Sequence, residues 1–316
     1  MLIGTRGSAL ALTQAGHVAR LLGTDPPAEL VTITTSGDRA KGEDKSRWVD
    51  TIEQALLVGE IDLAVHSAKD VPGELAEGLS LLGTPARVAA EDVLCGAPSL
   101  DALPAGAGVG TSSLRRTAQL LAEREDLRIV PVSGNVDTRL RRLGEQSGAV
   151  APRSEAGEQR SEAGLRAIVL ARAGLQRLGR EGEIGAVLDP ARFVPAPGQG
   201  VLALEGRLDD SDAVEEVRAI SDADTFACLH AERALARALG ASCDTPLGAH
   251  ATAIGDGCLR LRAWVGLPDG SVWTSDELLG DFEDPDGLGR RVAQRMKAAG
   301  AEELLRRAEE MAVEHA

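Results

Sequence analysis

Short apolar runs alternate with longer segments of helical spacing in the first part of the chain. In chain order, these runs and segments are LIGTR, SALALTQAGHVARLLG, AELVTITT, VDTIEQALLVG and IDLAVHS. The short runs predict strands and the longer segments predict helices, with Ser8 as the first helix cap and Gly23 as the first helix terminator. Strands joined by helical crossovers predict a largely parallel sheet with covering helices.

The same rhythm restarts near residue 88 and changes near residue 215. The second stretch predicts strands and helices over GVGTSS, SLRRTAQLLAERE, LRIVPV, VDTRLRRLG and RAIVLARAGL. The third stretch predicts one long helix, DTFACLHAERALARALG, then a hairpin about LPDG and two final helices. The fold class is therefore α/β, with two doubly wound domains and a smaller α+β C-terminal domain.

The length also favours several domains. The chain has 316 residues, and single cores rarely grow past about 250 residues. We expect domain 1 to comprise residues 1–87 and 194–214, domain 2 residues 88–193, and domain 3 residues 215–316. Near residues 145–165, RSEAGEQ is followed directly by RSEAGLR. This polar repeat predicts a solvated surface insertion in domain 2.

Composition excludes several classes of partner. The formal net charge of −15 argues against a nucleic-acid-binding face. No apolar stretch reaches the roughly 20 residues of a membrane span, and MLIGTR has no signal-peptide design. We therefore expect a cytoplasmic protein without a membrane or nucleic-acid partner. The cysteines lack metal-site spacing, so no metal is expected, and Cys95, Cys228 and Cys258 read as buried thiols.

Hydroxyl and basic side chains follow the predicted strand ends. They are Arg6, Ser8, Ser67, Lys69, Thr111, Ser113, Arg115, Arg116, Ser133, Asn135 and Arg139. Arginine in a first helical turn opposes the helix dipole, so its repeated use there favours recognition of carboxylates or phosphates. No phosphate-binding glycine motif is present, which favours a ligand with several carboxylates. The alternative is that each arginine lies on a solvated helix face.

Asp70 and Cys243 carry the two remaining candidate roles. Asp70 is the acid among the strand-end cations; it could cap a helix or pair with Lys69, or it could stabilise positive charge on a substrate or shuttle a proton. Cys243 lies in the loop LGASCDTPLGAH with no nearby histidine, so a Cys-His nucleophile is disfavoured. An incidental thiol and a covalent attachment point remain open for it.

At these residues the chain resembles the hydroxymethylbilane synthase, or porphobilinogen deaminase, family over nearly its whole length. The motifs, in order, are GTRGSALALTQA, DLAVHSAKDVP, VGTSSLRR, GNVDTRL, LARAGLQRLG, VPAPGQG, AERALARAL and SCDTPLGAHA. The resemblance implies two domains like those of periplasmic binding proteins and a third that carries a thioether-linked dipyrromethane cofactor. It implies a transferase of porphyrin and heme biosynthesis that condenses four porphobilinogens, releasing ammonia, and then hydrolyses off linear hydroxymethylbilane.

The resemblance also implies a role for each motif residue. The catalytic residue is Asp70, and the cofactor is attached through Cys243. The other cofactor contacts are Ser67, Lys69, Asp70, Thr111, Ser113, Arg115, Arg116 and Asn135. The substrate carboxylates are bound by Arg6, Ser8 and Arg139, with Gln14 and Gln199 in matching motifs. The protein is expected to act as a monomer.

Some positions depart from the family pattern. Ser133 and Gly185 stand where arginines are expected, and a shortened lid, GEDKSRWVD, has Trp48 in place of phenylalanine. These changes leave two alternatives: a paralogous pyrrole-condensing enzyme with a different substrate, and a non-catalytic two-lobed binding protein. Retention of Asp70 and Cys243 argues against the binding protein.

Overall fold

The computed structural model describes residues 1–34, 49–147, 164–242 and 245–314. The strands are β1 (Leu2–Thr5), β2 (Glu29–Thr32), β3 (Leu63–Ser67), β4 (Leu79–Gly83), β5 (Asp92–Cys95), β6 (Gly108–Gly110), β7 (Arg128–Val130), β8 (Leu165–Ala171), β9 (Ala186–Val187), β10 (Leu202–Arg207), β11 (Leu247–Ala253), β12 (Cys258–Gly266) and β13 (Trp273–Asp281). The helices are α1 (Ala9–Leu22), α2 (Asp50–Leu57), α3 (Leu114–Glu123), α4 (Val136–Ser147), α5 (Arg172–Arg177), α6 (Ser211–Ile220), α7 (Ala223–Ala238), α8 (Pro285–Ala298) and α9 (Ala301–Glu314).

Within these ranges the strands form two five-stranded sheets and one three-stranded sheet. The first sheet has the order β2-β1-β3-β10-β4 and the second the order β7-β6-β8-β5-β9. In each, three parallel strands are followed by an antiparallel one, β10 or β5. The predicted pair of α/β units is confirmed, although two of the four strand pairings in each sheet are antiparallel. Their matching strand order places the carboxyl ends of β3 and β6 where such folds bind ligands.

The helix ends follow from the local sequence. The Ser8 hydroxyl accepts a hydrogen bond from the Ala11 amide at 3.2 Å, and Gly23 adopts a φ of 59° at the C-cap of α1. Both predicted signals for α1 are confirmed. The LPDG turn likewise joins two antiparallel strands, β12 and β13.

The third sheet packs against α7, α8 and α9. Its core contains Leu235, Leu261, Leu288 and Val292, each fully buried. Strand β10 belongs to the first sheet although it follows the second sheet in the sequence. We therefore propose that the domain boundaries lie as the sequence predicts, with residues 194–214 returning to domain 1. In the described part of the chain, no helix is both long and apolar enough to cross a bilayer.

A buried carboxylate on α7 joins the three units. The side chain of Glu232 is fully buried and accepts hydrogen bonds from Arg87 Nη1 at 2.6 Å and from the Gly198 amide at 2.6 Å. It also accepts one from the Ala251 amide of β11 at 2.7 Å. A buried charge is tolerated when it is paired and hydrogen-bonded in this way. The ion pair therefore holds α7 against the segments that connect the first two sheets.

We expect Glu232→Ala to lower the free energy of unfolding by about 3–5 kcal/mol, the range for breaking one side of a buried ion pair. The Arg87 guanidinium and two amides would lose their acceptor. Urea denaturation measures the change. Asp224→Ala, at an exposed acid in the first turn of the same helix, is the control and should cost below about 1 kcal/mol. A similar small loss for both variants would contradict the junction role.

Candidate active site

A cavity of about 410 Å³ lies where the first and third units meet the start of α3. It is lined by Ala68, Lys69, Asp70, Val71, Pro72, Gly73, Ser113, Arg115, Ala196, Pro197, Arg233, Ala236, Ala241, Ser242, Thr245 and Leu247. Its volume lies within the roughly 300–1,000 Å³ of small-molecule sites. The cavity brings together candidate residues that stand far apart in the sequence.

The segment after β3 forms one wall. β3 ends at Ser67, and residues Ala68–Asp70 form a short 3-10 turn. The Ala68 amide donates to the carbonyl of Val201, the residue directly after the VPAPGQG segment, at 3.0 Å. Gly198 in that segment has a φ of 71°, and a Cβ there would meet Ala68 and the Lys69 amide. Glycine is therefore required for the close approach that presents Lys69 and Asp70 to the cavity.

Ser67 and Gln14 form a pair at the end of β3. Gln14 Nε2 donates to Ser67 Oγ at 2.9 Å, and Gln14 is 4% exposed. The resemblance assigned one residue to the cofactor and the other to the substrate. The structure brings them into direct contact, so they would act on a ligand as one polar group.

Lys69 lies close to several other charges. Burial lowers the pKa of its ammonium group to about 8; Arg116 and Arg115 also lower it, against the opposing effects of Asp70 and Asp92. Lys69 and Arg115 line the same cavity as Asp70. Two cations in one cavity suit a ligand that brings carboxylates.

Asp92, the first residue of β5, holds the two arginines of α3. Arg115 Nη1 lies 2.8 Å from Asp92 Oδ2, and Arg116 Nη2 lies 2.7 Å from Asp92 Oδ1. Burial alone would raise the pKa of Asp92, but the two guanidinium groups outweigh it and hold that pKa well below its usual range. Arg115 also donates to the Val194 carbonyl and Arg116 to the Val169 carbonyl. Both guanidiniums are therefore fixed in place.

The other polar candidates of the second unit lie in its turns. Ser113 is the N-cap residue of α3, but its side chain makes no capping hydrogen bond. Thr111 is buried, and its hydroxyl accepts from the Ser113 amide at 3.1 Å. Asn135 Oδ1 accepts from the Thr138 amide at 2.8 Å at the start of α4. The cofactor roles of these three residues stay predictions. The side-chain oxygen of Asn135 is already used as an acceptor for the Thr138 amide.

Arg139 is held by its own loop, because its Nε donates to the Gly134 carbonyl at 2.7 Å. The pKa of Arg139 is lowered to about 10, mainly by burial and also by Arg116, while Asp70 opposes the shift. Arg139 lies on α4, and its substrate role stays a prediction.

The remaining candidates differ in how they relate to the cavity. Arg6 directly follows β1, and Ser8 caps α1. Gln199 is 1% exposed, and its Nε2 donates to the Ala90 carbonyl and to Asp92 Oδ1. Gln199 therefore hydrogen-bonds to Asp92, the carboxylate that pairs with Arg115 and Arg116.

Cys243 lies outside the described residues, as do Trp48 and nearly all of the predicted lid and of the RSEAG insertion. Ser242, directly before Cys243, and Thr245, two residues after it, are described and line the cavity. The Ser242 amide donates to Thr245 Oγ1 at 2.8 Å, and the Thr245 amide donates to the Ser242 carbonyl at 3.2 Å. The loop is therefore anchored on both sides of position 243.

The structure also bears on the two departures from the arginine pattern. A Cβ at Gly185 would overlap the Ala97 carbonyl oxygen, so no side chain fits there without a shift of the backbone. The backbone at position 185 therefore leaves no room for the arginine that the family pattern led us to expect there. Ser133 is exposed in the turn before α4, and its effect on substrate binding stays open.

Sequence reasoning missed three residues that organise the site. They are Asp92, Arg177 and Arg233. Arg177 Nη2 donates to the Gly200 carbonyl at 2.8 Å, and burial lowers the pKa of Arg177 to about 10. In the sequence, only Asp92 could have been noticed: it begins the apolar strand DVLC, and a buried acid needs a cation as its partner. The arginines look like ordinary polar helix positions in the sequence.

Comparison with known proteins identifies the family. The sequence model for "Porphobilinogen deaminase, dipyromethane cofactor binding domain" matches residues 1–215, and that for "Porphobilinogen deaminase, C-terminal domain" matches residues 226–298. The chain belongs to the porphobilinogen deaminase family. Both the predicted family and its dipyrromethane cofactor are confirmed.

Curated porphobilinogen deaminases match the chain nearly end to end. The protein of Thermus thermophilus is 43% identical over 311 residues, covering 96% of this chain and 98% of its own. That of Brevibacillus brevis is 41% identical over 314 residues, covering 96% of each chain. Among solved structures, the match to the methionine-binding protein MetQ covers 70% of this chain and 89% of MetQ, with a TM-score of 0.40 and 17% identity.

The cavity suits the family's cofactor. Lys69, Ser113 and Arg115 offer donors around it, and Asp70 supplies one carboxylate. A dipyrromethane carries acetate and propionate side chains, which such donors bind, and the pyrrole rings match the apolar part of the wall. The residues present therefore fit this group.

We expect Lys69→Met to stabilise the protein without its cofactor at pH 7. A lysine with a pKa near 8 when folded and about 10.4 when unfolded resists protonation in the folded state. The protonated lysine thus costs about 3 kcal/mol below pH 8. The advantage of the variant should be complete below about pH 8 and disappear as the pH rises towards 10. Urea denaturation across this range measures it.

Lys297→Met is the matched control, because Lys297 is partly exposed and pairs with Glu302. It should change the free energy of unfolding at pH 7 by less than about 1 kcal/mol. A Lys69→Met variant that is less stable than the parent at pH 7 would contradict the interpretation that burial disfavours the protonated Lys69.

Proposed function

We propose that this protein condenses four porphobilinogen molecules head to tail onto a covalent dipyrromethane, with release of ammonia, and hydrolyses off hydroxymethylbilane. The observation that carries the proposal is the shared cavity. Asp70, Lys69 and Arg115 line the same cavity as Ser242 and Thr245, which flank position 243 in the sequence. This is the arrangement that the family's reaction requires, and the match of the family models over both parts of the chain supports it.

The bound dipyrromethane supplies the nucleophilic pyrrole carbon that accepts the first substrate. The protein supplies charge at fixed positions. The carboxylate of Asp70 stabilises the cation that forms on porphobilinogen as ammonia leaves. Lys69 and Arg115 bind carboxylate side chains of the pyrroles. Because Asp92 holds Arg115 before any ligand arrives, little reorganisation is needed when the anion binds.

We also propose that Cys243 carries the cofactor through a thioether. Its neighbours Ser242 and Thr245 hold each other by hydrogen bonds at the cavity wall. By contrast, burial raises the pKa of the Cys95 thiol to about 11 and that of Cys228 to about 12, which makes both poor nucleophiles. Among the chain's cysteines, Cys243 has the family's attachment motif.

The purified protein should weigh more than its sequence by the mass of two deaminated pyrrole units. Cys243→Ser should restore the sequence mass and abolish turnover, and Cys258→Ser should change neither. Intact mass spectrometry and a porphobilinogen consumption assay measure both effects. A fully active protein of unmodified mass would refute the attachment.

We expect Asp70→Ala to fold but to lose roughly two or more orders of magnitude in kcat, the scale for one preorganised electrostatic group. Asp70→Glu should retain more activity. The control is Glu77→Ala, an exposed acid in the same loop region, which should keep the parent rate. Steady-state kinetics with porphobilinogen checks this, and near-normal turnover of Asp70→Ala would show that another group stabilises the cation.

We further propose a monomeric, cytoplasmic protein with no nucleic-acid or membrane partner. The net charge of −15 supports the lack of a nucleic-acid partner. Three thiols without a disulfide among the described residues, Cys95, Cys228 and Cys258, support a reducing compartment.

A further inference from the structure

Arg233 of α7 contacts the segment that directly follows Asp70. Its Nη2 donates to the Pro72 carbonyl at 2.8 Å and to the Gly73 carbonyl at 3.1 Å, and its Nη1 donates to the Val71 carbonyl at 3.4 Å. The residue is 8% exposed. One guanidinium from the third unit therefore holds three consecutive carbonyls of the first.

This contact is an uncommon use of a buried cation. Burial lowers the pKa of Arg233 to about 10, and Arg237 lowers it further, while Glu205, Glu74 and Asp286 oppose the shift from a distance. The group is still charged at neutral pH. Burying a charge is costly unless its donors are satisfied, and the hydrogen bonds found for Arg233 go to these carbonyls. The loop gains three charge-assisted hydrogen bonds, which are stronger than neutral ones.

The bonded segment has no strand or helix of its own to hold it. Residues 71–78 connect the turn at Asp70 to β4, and irregular segments of this kind open at low free energy unless side chains restrain them. The Val71 amide bonds back to the Ala68 carbonyl at 3.2 Å. Together with this bond, the Arg233 contacts restrain the turn that carries Asp70 from its C-terminal side.

The same helix leads to the loop of Cys243. α7 ends at Ala238, and Ala241 and Ser242 line the same cavity as Asp70. The neighbouring residue Glu232 fixes α7 to the connecting segments. The same helix thus contacts the Asp70 loop through Arg233 and leads into residues that line the cavity.

We propose that Arg233 is a positioning residue, which sets the placement of Asp70 relative to the cofactor loop by holding the Val71, Pro72 and Gly73 carbonyls. This inference rests on the proposed function. Misplacement of a catalytic group by about 1 Å can cost on the order of 100-fold in rate. Loss of the contact should therefore act on the rate of condensation more than on the binding of porphobilinogen.

The experiment compares Arg233→Met, Arg233→Lys and Arg237→Met in the cofactor-loaded enzyme. Arg237 lies one turn further along α7, is a third exposed and pairs with Asp286. We expect Arg233→Met to lower kcat by roughly 10- to 100-fold, with KM changed by less than about threefold. Arg233→Lys, which keeps the charge without the fork of donors, should fall between it and the parent. Arg237→Met should match the parent.

Two readouts do not depend on activity. Intact mass should show full cofactor loading in all three variants. Hydrogen exchange of the peptide containing residues 66–77 should be at least about tenfold faster in Arg233→Met than in the parent or in Arg237→Met, because the restraint on the loop is lost. If Arg233→Met does not fold, the comparison of Arg233→Lys with Arg237→Met decides the question.

Three results would overturn the proposal. Unchanged exchange of residues 66–77 would show that Arg233 does not restrain the loop. A large rise in KM with kcat intact would make Arg233 a substrate-binding residue. Equal effects of Arg233→Met and Arg237→Met would point to general stability of the helix. An inactive parent protein would refute the proposed function, and the exchange data would still test the contact.

Discussion

The buried carboxylate of Glu232 is the interaction on which the arrangement of the site depends. The two α/β units and the third unit each have their own core, so apolar burial explains why each folds but not why they meet at a particular angle. Glu232 accepts hydrogen bonds from Arg87, from Gly198 in the crossover and from Ala251 in β11. A buried charge tolerates little departure from its partners. It therefore specifies how α7 lies against the connecting segments, and with it where the cavity forms.

A second buried carboxylate, Asp92, fixes the positions of two arginines at the cavity, Arg115 and Arg116. Two adjacent arginines repel each other and are costly to bury, and Asp92 offsets both through its two oxygens. Gln199 supports Asp92 from the crossover segment. The guanidiniums are thereby aimed before a ligand is present, which is what electrostatic preorganisation requires. Burial is the main reason that the pKa of Lys69 is lowered to about 8, so holding its protonated form in the site costs stability.

Several elements could be predicted from the sequence because their signals are local. The cap at Ser8, the terminator at Gly23 and the hairpin about LPDG depend on residues within one turn of each other. The chemistry of the cavity was also accessible, since strand-end hydroxyls and arginines mark the ligand edge of an α/β sheet. The motifs around Asp70 and Cys243 then predicted the family, which the comparisons confirm.

The sequence by itself thus determined the elements, the fold class and the kind of ligand, because periodicity and residue type act over short distances. Only the tertiary structure decided which partner each buried charge meets. Asp92 and Arg116 are 24 positions apart, Arg87 and Glu232 are 145 apart, and Arg233 and Val71 are 162 apart. No local pattern encodes such pairs, because they arise from how the units pack. For the same reason the side chains of Gln14 and Ser67 emerged as one group and Gly185 as a position closed to any side chain, although each looked like an independent site in the sequence.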